Sequence, residues 1–228
     1  AAPVATAQPP LIETLSRAGR YAEAAQATRE FIKSGGAEFE SGTHLAASNN
    51  AILAVTLLAA GDRDGYRAAC AEAASRFKNT ANPHEAEQIA KSCLLASDSG
   101  VEPAILDALL STAQSRLKFS DAHWVQLINA LAEYRLGHWD TAADWATKMR
   151  ANPNAPERGT AAAAAVLAMA EHQRKHPAEA AKALDAAQTV IAANWPAGTE
   201  GPWYAWLIAD LLAKEAAALL PAPKSEEK

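Results

Sequence analysis

Apolar residues recur every three or four positions along nearly the whole chain, the spacing that gathers them on one face of an α-helix. Helix breakers interrupt this pattern at short intervals: Gly19, Gly35-Gly36, Gly61, Asn82-Pro83, Gly100, Gly137, Asn152-Pro153, Pro177 and the stretch Trp195-Pro196-Ala197-Gly198. The segments between them predict eleven helices, near 9–18, 22–34, 43–60, 63–77, 83–96, 103–117, 121–136, 139–151, 157–174, 177–193 and 202–220. End chemistry supports several of these boundaries. Asp121 is a candidate N-cap whose carboxylate accepts orphan backbone N–H groups. Pro177 suits a first helical position, where its missing N–H costs nothing. Gly100 and Gly137 sit where a left-handed residue would end a helix. The expected organisation is a linker over 1–8, a helical domain over 9–220 and a flexible tail over 221–228.

The breakers also keep a period. Gly19 to Gly61 is 42 residues, Gly61 to Gly137 is 76, and Gly137 to Lys175 is 38. The midpoint of the long interval falls in the turn Asp98-Ser99-Gly100. This spacing predicts five helix-turn-helix units with one further helix as a cap, an all-α chain built as a helical solenoid. Each unit leaves an apolar face that only a neighbouring unit can bury.

The turns carry a local signature. Ala132-Glu133-Tyr134-Arg135-Leu136-Gly137-His138-Trp139-Asp140-Thr141-Ala142-Ala143 places an aromatic two residues after the glycine and a small residue three beyond that. Ala18-Gly19-Arg20-Tyr21-Ala22-Glu23-Ala24 repeats it, and Lys175-His176-Pro177-Ala178-Glu179-Ala180 repeats it without the glycine. This pattern resembles the tetratricopeptide repeat. The resemblance implies a right-handed α-solenoid in which Ala24, Ala142 and Ala180 let the second helix approach the first. Ala130 and Ala168 match the family's small position in the first helix, and Tyr21 and Trp139 fill the gap beside the turn. The unit at Gly61 departs from the pattern, with Arg63 and Tyr66 at the aromatic and alanine positions.

Four runs extend the resemblance: Gly61-Asp62-Arg63-Asp64-Gly65-Tyr66-Arg67, Ala90-Lys91-Ser92-Cys93-Leu94-Leu95, Leu131-Ala132-Glu133-Tyr134-Arg135 and Trp206-Leu207-Ile208-Ala209. In this order they are similar to repeat regions that follow the catalytic domain in certain bacterial serine/threonine protein kinases of the eukaryotic type. The likeness spans roughly residues 45–220. It implies a non-catalytic regulatory or partner-recruiting module beside a kinase. The kinase's own motifs are not in this sequence: there is no glycine-rich phosphate loop, no His-Arg-Asp and no Asp-Phe-Gly.

Composition sharpens the helical reading. Half of the residues are hydrophobic, only 6% are aromatic, and about a quarter are alanine, the strongest helix former. The net charge of -5 and pI near 5.7 give no general attraction to nucleic acid, and no basic stripe is present. The most apolar run, Ala51 to Ala60, is too short to cross a bilayer, so no membrane insertion is expected. No secretory signal pattern is visible, so the expected location is cytoplasmic, with export as the alternative if Ala1 follows a removed signal peptide. Cys70 and Cys93 are too few for a disulfide framework and read as buried thiols.

Candidate chemistry is sparse. His84-Glu85-Ala86-Glu87-Gln88 is similar to a zinc-protease helix but carries Gln88 where zinc needs imidazole. It reads instead as acids in a first helical turn. His172 and His176 share helical spacing but lack a third ligand. No nucleophile elbow or phosphate loop is present, so neither a metal nor another cofactor is expected. Trp203, Trp206, Leu207 and Leu211 form a stripe on the last helix that either fills gaps between alanine-rich helices or mediates self-association.

In the tetratricopeptide pattern the first helix of each pair lines a concave groove. The inner rows are then Ser48, Ala51, Val55 and Leu58; Trp124, Leu127, Leu131, Tyr134 and Arg135; and Ala162, Ala165, Met169, His172 and Gln173. The expected function is a protein-interaction module that holds a protein or peptide in this groove. The candidate contacts are Trp124, Tyr134, Arg135, His172 and Gln173. The alternatives are an all-helical enzyme with a site between helices and a structural module that self-associates through helix 202–220.

Overall fold

The computed structural model describes residues 8–35, 45–118, 122–197 and 202–220, and the expected cap at Asp121 and most of both expected tails lie outside them. Among the described residues there are eleven α-helices and no strand. They are α1 (Gln8–Arg17), α2 (Tyr21–Lys33), α3 (Leu45–Ala59), α4 (Arg63–Phe77), α5 (Pro83–Cys93), α6 (Pro103–Ala113), α7 (Ala122–Arg135), α8 (Trp139–Arg150), α9 (Glu157–Gln173), α10 (Pro177–Asn194) and α11 (Trp203–Leu219). A 3-10 turn, Gln114–Lys118, follows α6.

Most boundaries fall within two residues of expectation. At the N-terminus, Pro9 and Pro10 occupy the first turn of α1, where a proline loses no helical hydrogen bond. Helix α5 stops at Cys93 rather than continuing to Ala96. Side chains explain this end: the Tyr66 hydroxyl donates to Ser92 O (2.8 Å) and accepts from Ala96 N (3.2 Å). The Arg135 guanidinium takes the carbonyls of Leu94 and Leu95. Carbonyls that another helical turn would have bonded are satisfied from elsewhere.

Four turns are built alike. At Gly19, Gly61, Gly137 and Lys175 the turn residue has φ between 65° and 81°. In each, its N–H donates to the carbonyl three residues back, and the next N–H donates to the carbonyl four residues before itself plus one, as in Lys175 N to His172 O and His176 N to Glu171 O. This is the paired-bond closure of a helix on a left-handed residue. Five positions after each turn residue stands a side chain with no exposure: Ala24, Tyr66, Ala142 and Ala180. Lys175 alone lacks glycine's freedom, and a left-handed backbone costs an L-residue about 1–2 kcal/mol. Lys175→Gly is therefore expected to stabilise the chain by about 1 kcal/mol. A rise in the urea midpoint at unchanged slope checks it, and no change would mean that the turn bears no strain.

The helices pack in neighbouring pairs, α1 with α2, α3 with α4, α5 with α6, α7 with α8 and α9 with α10. The first members also pack on one another in succession: α3 on α5, α5 on α7, α7 on α9 and α9 on α11. Helix α11 then returns to α3 and closes the circuit. Helix α9 lies inside, against α7, α8, α10 and α11, and its alanines 161 to 165 are all buried. Alanine at these positions lets helix axes approach closely, and any larger side chain would force them apart.

The stripe on α11 is interior. Trp203, Trp206, Leu207, Ile208 and Leu212 are buried in the main core. Self-association through an exposed Trp203-Trp206-Leu207 surface is thus corrected: the chain's own helices cover it. Trp139, expected to pack between helices, is 40% exposed at the start of α8. Both cysteines are free and buried.

Candidate functional site

The inner rows expected to line an open groove are largely interior. Ala51, Val55, Leu58, Leu127, Leu131, Ala162, Ala165 and Met169 are all buried. Helix α11 packs on both α9 and α3, covering part of what an open array would leave bare. The five candidate contact residues are different. Trp124, Tyr134, Arg135, His172 and Gln173 are each partly exposed, so they lie at the edges of this packed interior.

The structure divides them between the two ends of α7. Trp124 stands in its first turn and Tyr134 in its last, ten residues or roughly 15 Å along the axis. At the C-terminal end, Arg135 Nε donates to Leu94 O at 3.0 Å and Nη2 donates to Leu95 O at 2.8 Å. The same guanidinium forms a two-point pair with Glu215 of α11, with Nη2 to Oε2 at 2.7 Å. Arg135 thereby joins α5, α7 and α11. Tyr134 lies beside it, with the guanidinium 5.4 Å from its ring centre. Burial raises the Tyr134 phenol above its ordinary pKa, while a hydrogen bond with Gln173 acts in the opposite direction. Tyr134, Arg135 and Gln173 are therefore one cluster, with His172 next to Gln173 on α9.

An open cleft of about 360 Å3 adjoins this cluster. Leu58, Leu95, Ala96, Leu211 and Ala218 give it apolar walls, and Arg63, Lys214 and Glu215 supply charge. A second cleft, of about 610 Å3, lies on the other side of α11 where the first helical pair meets the last. Tyr21, Ile191 and Trp195 line it, and Arg17 stacks on Trp195 at 5.3 Å. The C-terminal half of α11 thus has a cleft on each flank, and Lys214 borders both.

At the other end of α7, Trp124 meets two cations. Lys91 Nζ is 4.6 Å and Arg158 Cζ 5.8 Å from its ring centre. Lys91 in turn pairs with Glu87 Oε1 at 2.7 Å, and neither side chain is more than 3% exposed. Sequence reasoning missed this pair. The spacing of Glu87 and Lys91 is that of a solvated helix face, and Glu87 read as an acid near an exposed helix start. The signal was the place of Lys91 within a largely apolar run, Ile89 to Leu95. Arg158 and Glu215 were missed as well, each being distant in sequence from its partner.

The segment with zinc-protease likeness is a capped helix start. Asn82 Oδ1 accepts from His84 N, Pro83 is in the first turn, and Arg116 contacts His84 Nδ1. His176 Nδ1 is 2.7 Å from Glu171 Oε2. Among the described residues, no group of three or more His, Cys, Asp or Glu is arranged to hold a metal ion, and no helix is long and apolar enough to cross a membrane.

No protein-family model matches the chain, and neither a curated protein nor a solved structure is significantly similar to it.

Proposed function

We propose that this chain is a protein-interaction module, a right-handed α-solenoid of tetratricopeptide-like repeats that recruits a protein or peptide partner. The observation that carries this reading is repetition. Four turns share one backbone conformation, one hydrogen-bond pattern and one fully buried position five residues on. Repeated helical pairs are a common scaffold for holding extended segments, because their edges present side chains at regular intervals. The partner's place is the rim where Tyr134, Gln173 and His172 meet the cleft beside Glu215, with Trp124 as a second anchor at the far end of α7. Half-exposed aromatic rings fixed by neighbouring cations are strong candidates for binding hot spots. The four sequence runs further suggest that the partner-recruiting role serves a bacterial serine/threonine kinase.

Selection of displayed peptides against the full chain tests this. Enriched peptides are expected to share a motif. Their affinity should fall at least about tenfold for Trp124→Ala or Tyr134→Ala, the loss of one hot-spot aromatic. Absence of enrichment, or binding indifferent to both substitutions, would overturn the reading.

A further inference from the structure

Cys70 and Cys93 lie 23 residues apart in sequence and face each other across the contact of α4 with α5. Each is only 1% exposed. Cys93 Sγ is 3.9 Å from Cys70 O, and Cys70 Sγ is 3.9 Å from the carbonyl of Ser92, the residue before Cys93. Tyr66, one turn before Cys70, holds the register: its hydroxyl bonds to Ser92 O and Cys93 O, pinning the last turn of α5 against α4. A disulfide needs backbones held close and in fixed register, which these contacts supply.

We propose that Cys70 and Cys93 are a disulfide-forming pair that, on oxidation, staples α4 to the end of α5. A low-molecular-weight disulfide such as glutathione disulfide is the oxidant. The Cys70 thiolate attacks it and releases one glutathione thiolate. The Cys93 thiolate then attacks the Cys70 sulfur of the mixed disulfide and releases the second. Two protons leave the cysteine thiols, two electrons pass to the oxidant, and one S–S bond is exchanged for another. The neighbouring Cys70, and then burial, hold the Cys93 thiol well above its ordinary pKa, so the folded chain has little Cys93 thiolate to react. Oxidation therefore belongs to the folding chain or to a locally opened α4–α5 contact. Leu94 and Leu95, whose carbonyls anchor Arg135, directly follow Cys93, so the staple would also fix the seat of the Arg135–Glu215 pair.

The test is to refold the full chain from denaturant with reduced and oxidised glutathione, alkylate free thiols, and measure mass and thermal midpoint. The wild-type monomer is expected to lose two hydrogen atoms and take up no alkylating reagent. Its midpoint should rise by roughly 6 to 12 °C over the reduced chain, from the entropy of closing a loop of this length. Cys70→Ala and Cys93→Ala should show no oxidant-dependent rise. Two alkylated cysteines, stable glutathione adducts, cross-linked dimers, or an oxidised monomer that melts no higher than the reduced one would each overturn the proposal.

Discussion

Replacing Lys91 by methionine is expected to destabilise the chain by about 3–5 kcal/mol, more than any other single change to a polar side chain. Lys91 is the partner of Glu87, whose side chain has no exposure. Glu87 Oε2 accepts no hydrogen bond among the described residues, so Oε1 and the ammonium carry the compensation for burying this charge. Removing the ammonium strands a fully buried carboxylate, whose desolvation is then not offset. It also removes a cation from the face of Trp124. The double variant Glu87→Gln, Lys91→Met takes away both charges and should recover most of the loss. Urea denaturation of the four chains gives the coupling. A double variant as unstable as Lys91→Met alone would show that packing on Trp124, rather than the stranded charge, is what matters.

Arg135→Met comes second, with an expected cost of about 2–3 kcal/mol. The substitution deprives Leu94 O and Leu95 O of their donor and releases Glu215, which is partly solvated and so tolerates the loss better than Glu87 would. The effect should be local. Amide exchange in α11 is expected to accelerate about tenfold or more before exchange in α9 changes, because the clamp joins α11 to α5 and α7. An equal acceleration in every helix would show only global destabilisation and would remove Arg135 from the role of clamp.

Much of the fold was legible because local chemistry specifies it. Glycine at 19, 61 and 137, proline at 83, 103 and 177, and unbroken helical spacing between them placed nearly all of the helices within two residues. The small position five residues after each turn was equally readable, and the structure adds that Tyr66 fills it in the second unit without exposure. What was illegible depends on partners far along the chain. Glu215 is 80 residues from Arg135, and neither residue type announces the other. The packing of α11 on α3 joins helices with seven others between them, and no local signal encodes it. Ala51, Val55, Leu127 and Met169, expected on a groove surface, are interior. Tyr134, Arg135 and Gln173 lie close together, as helical spacing and the alignment of successive pairs allow.

The contact between α3 and α11 also sets how this chain gains and loses its order. A row of helical pairs that touches only its nearest neighbours can fray from either end, one pair at a time. Here the last helix is also braced against the third, so detaching α11 opens two faces at once, and the span from α3 to α11 is expected to unfold more cooperatively than an open row would. The same brace joins segments some 150 residues apart, which makes folding slow for an all-helical chain.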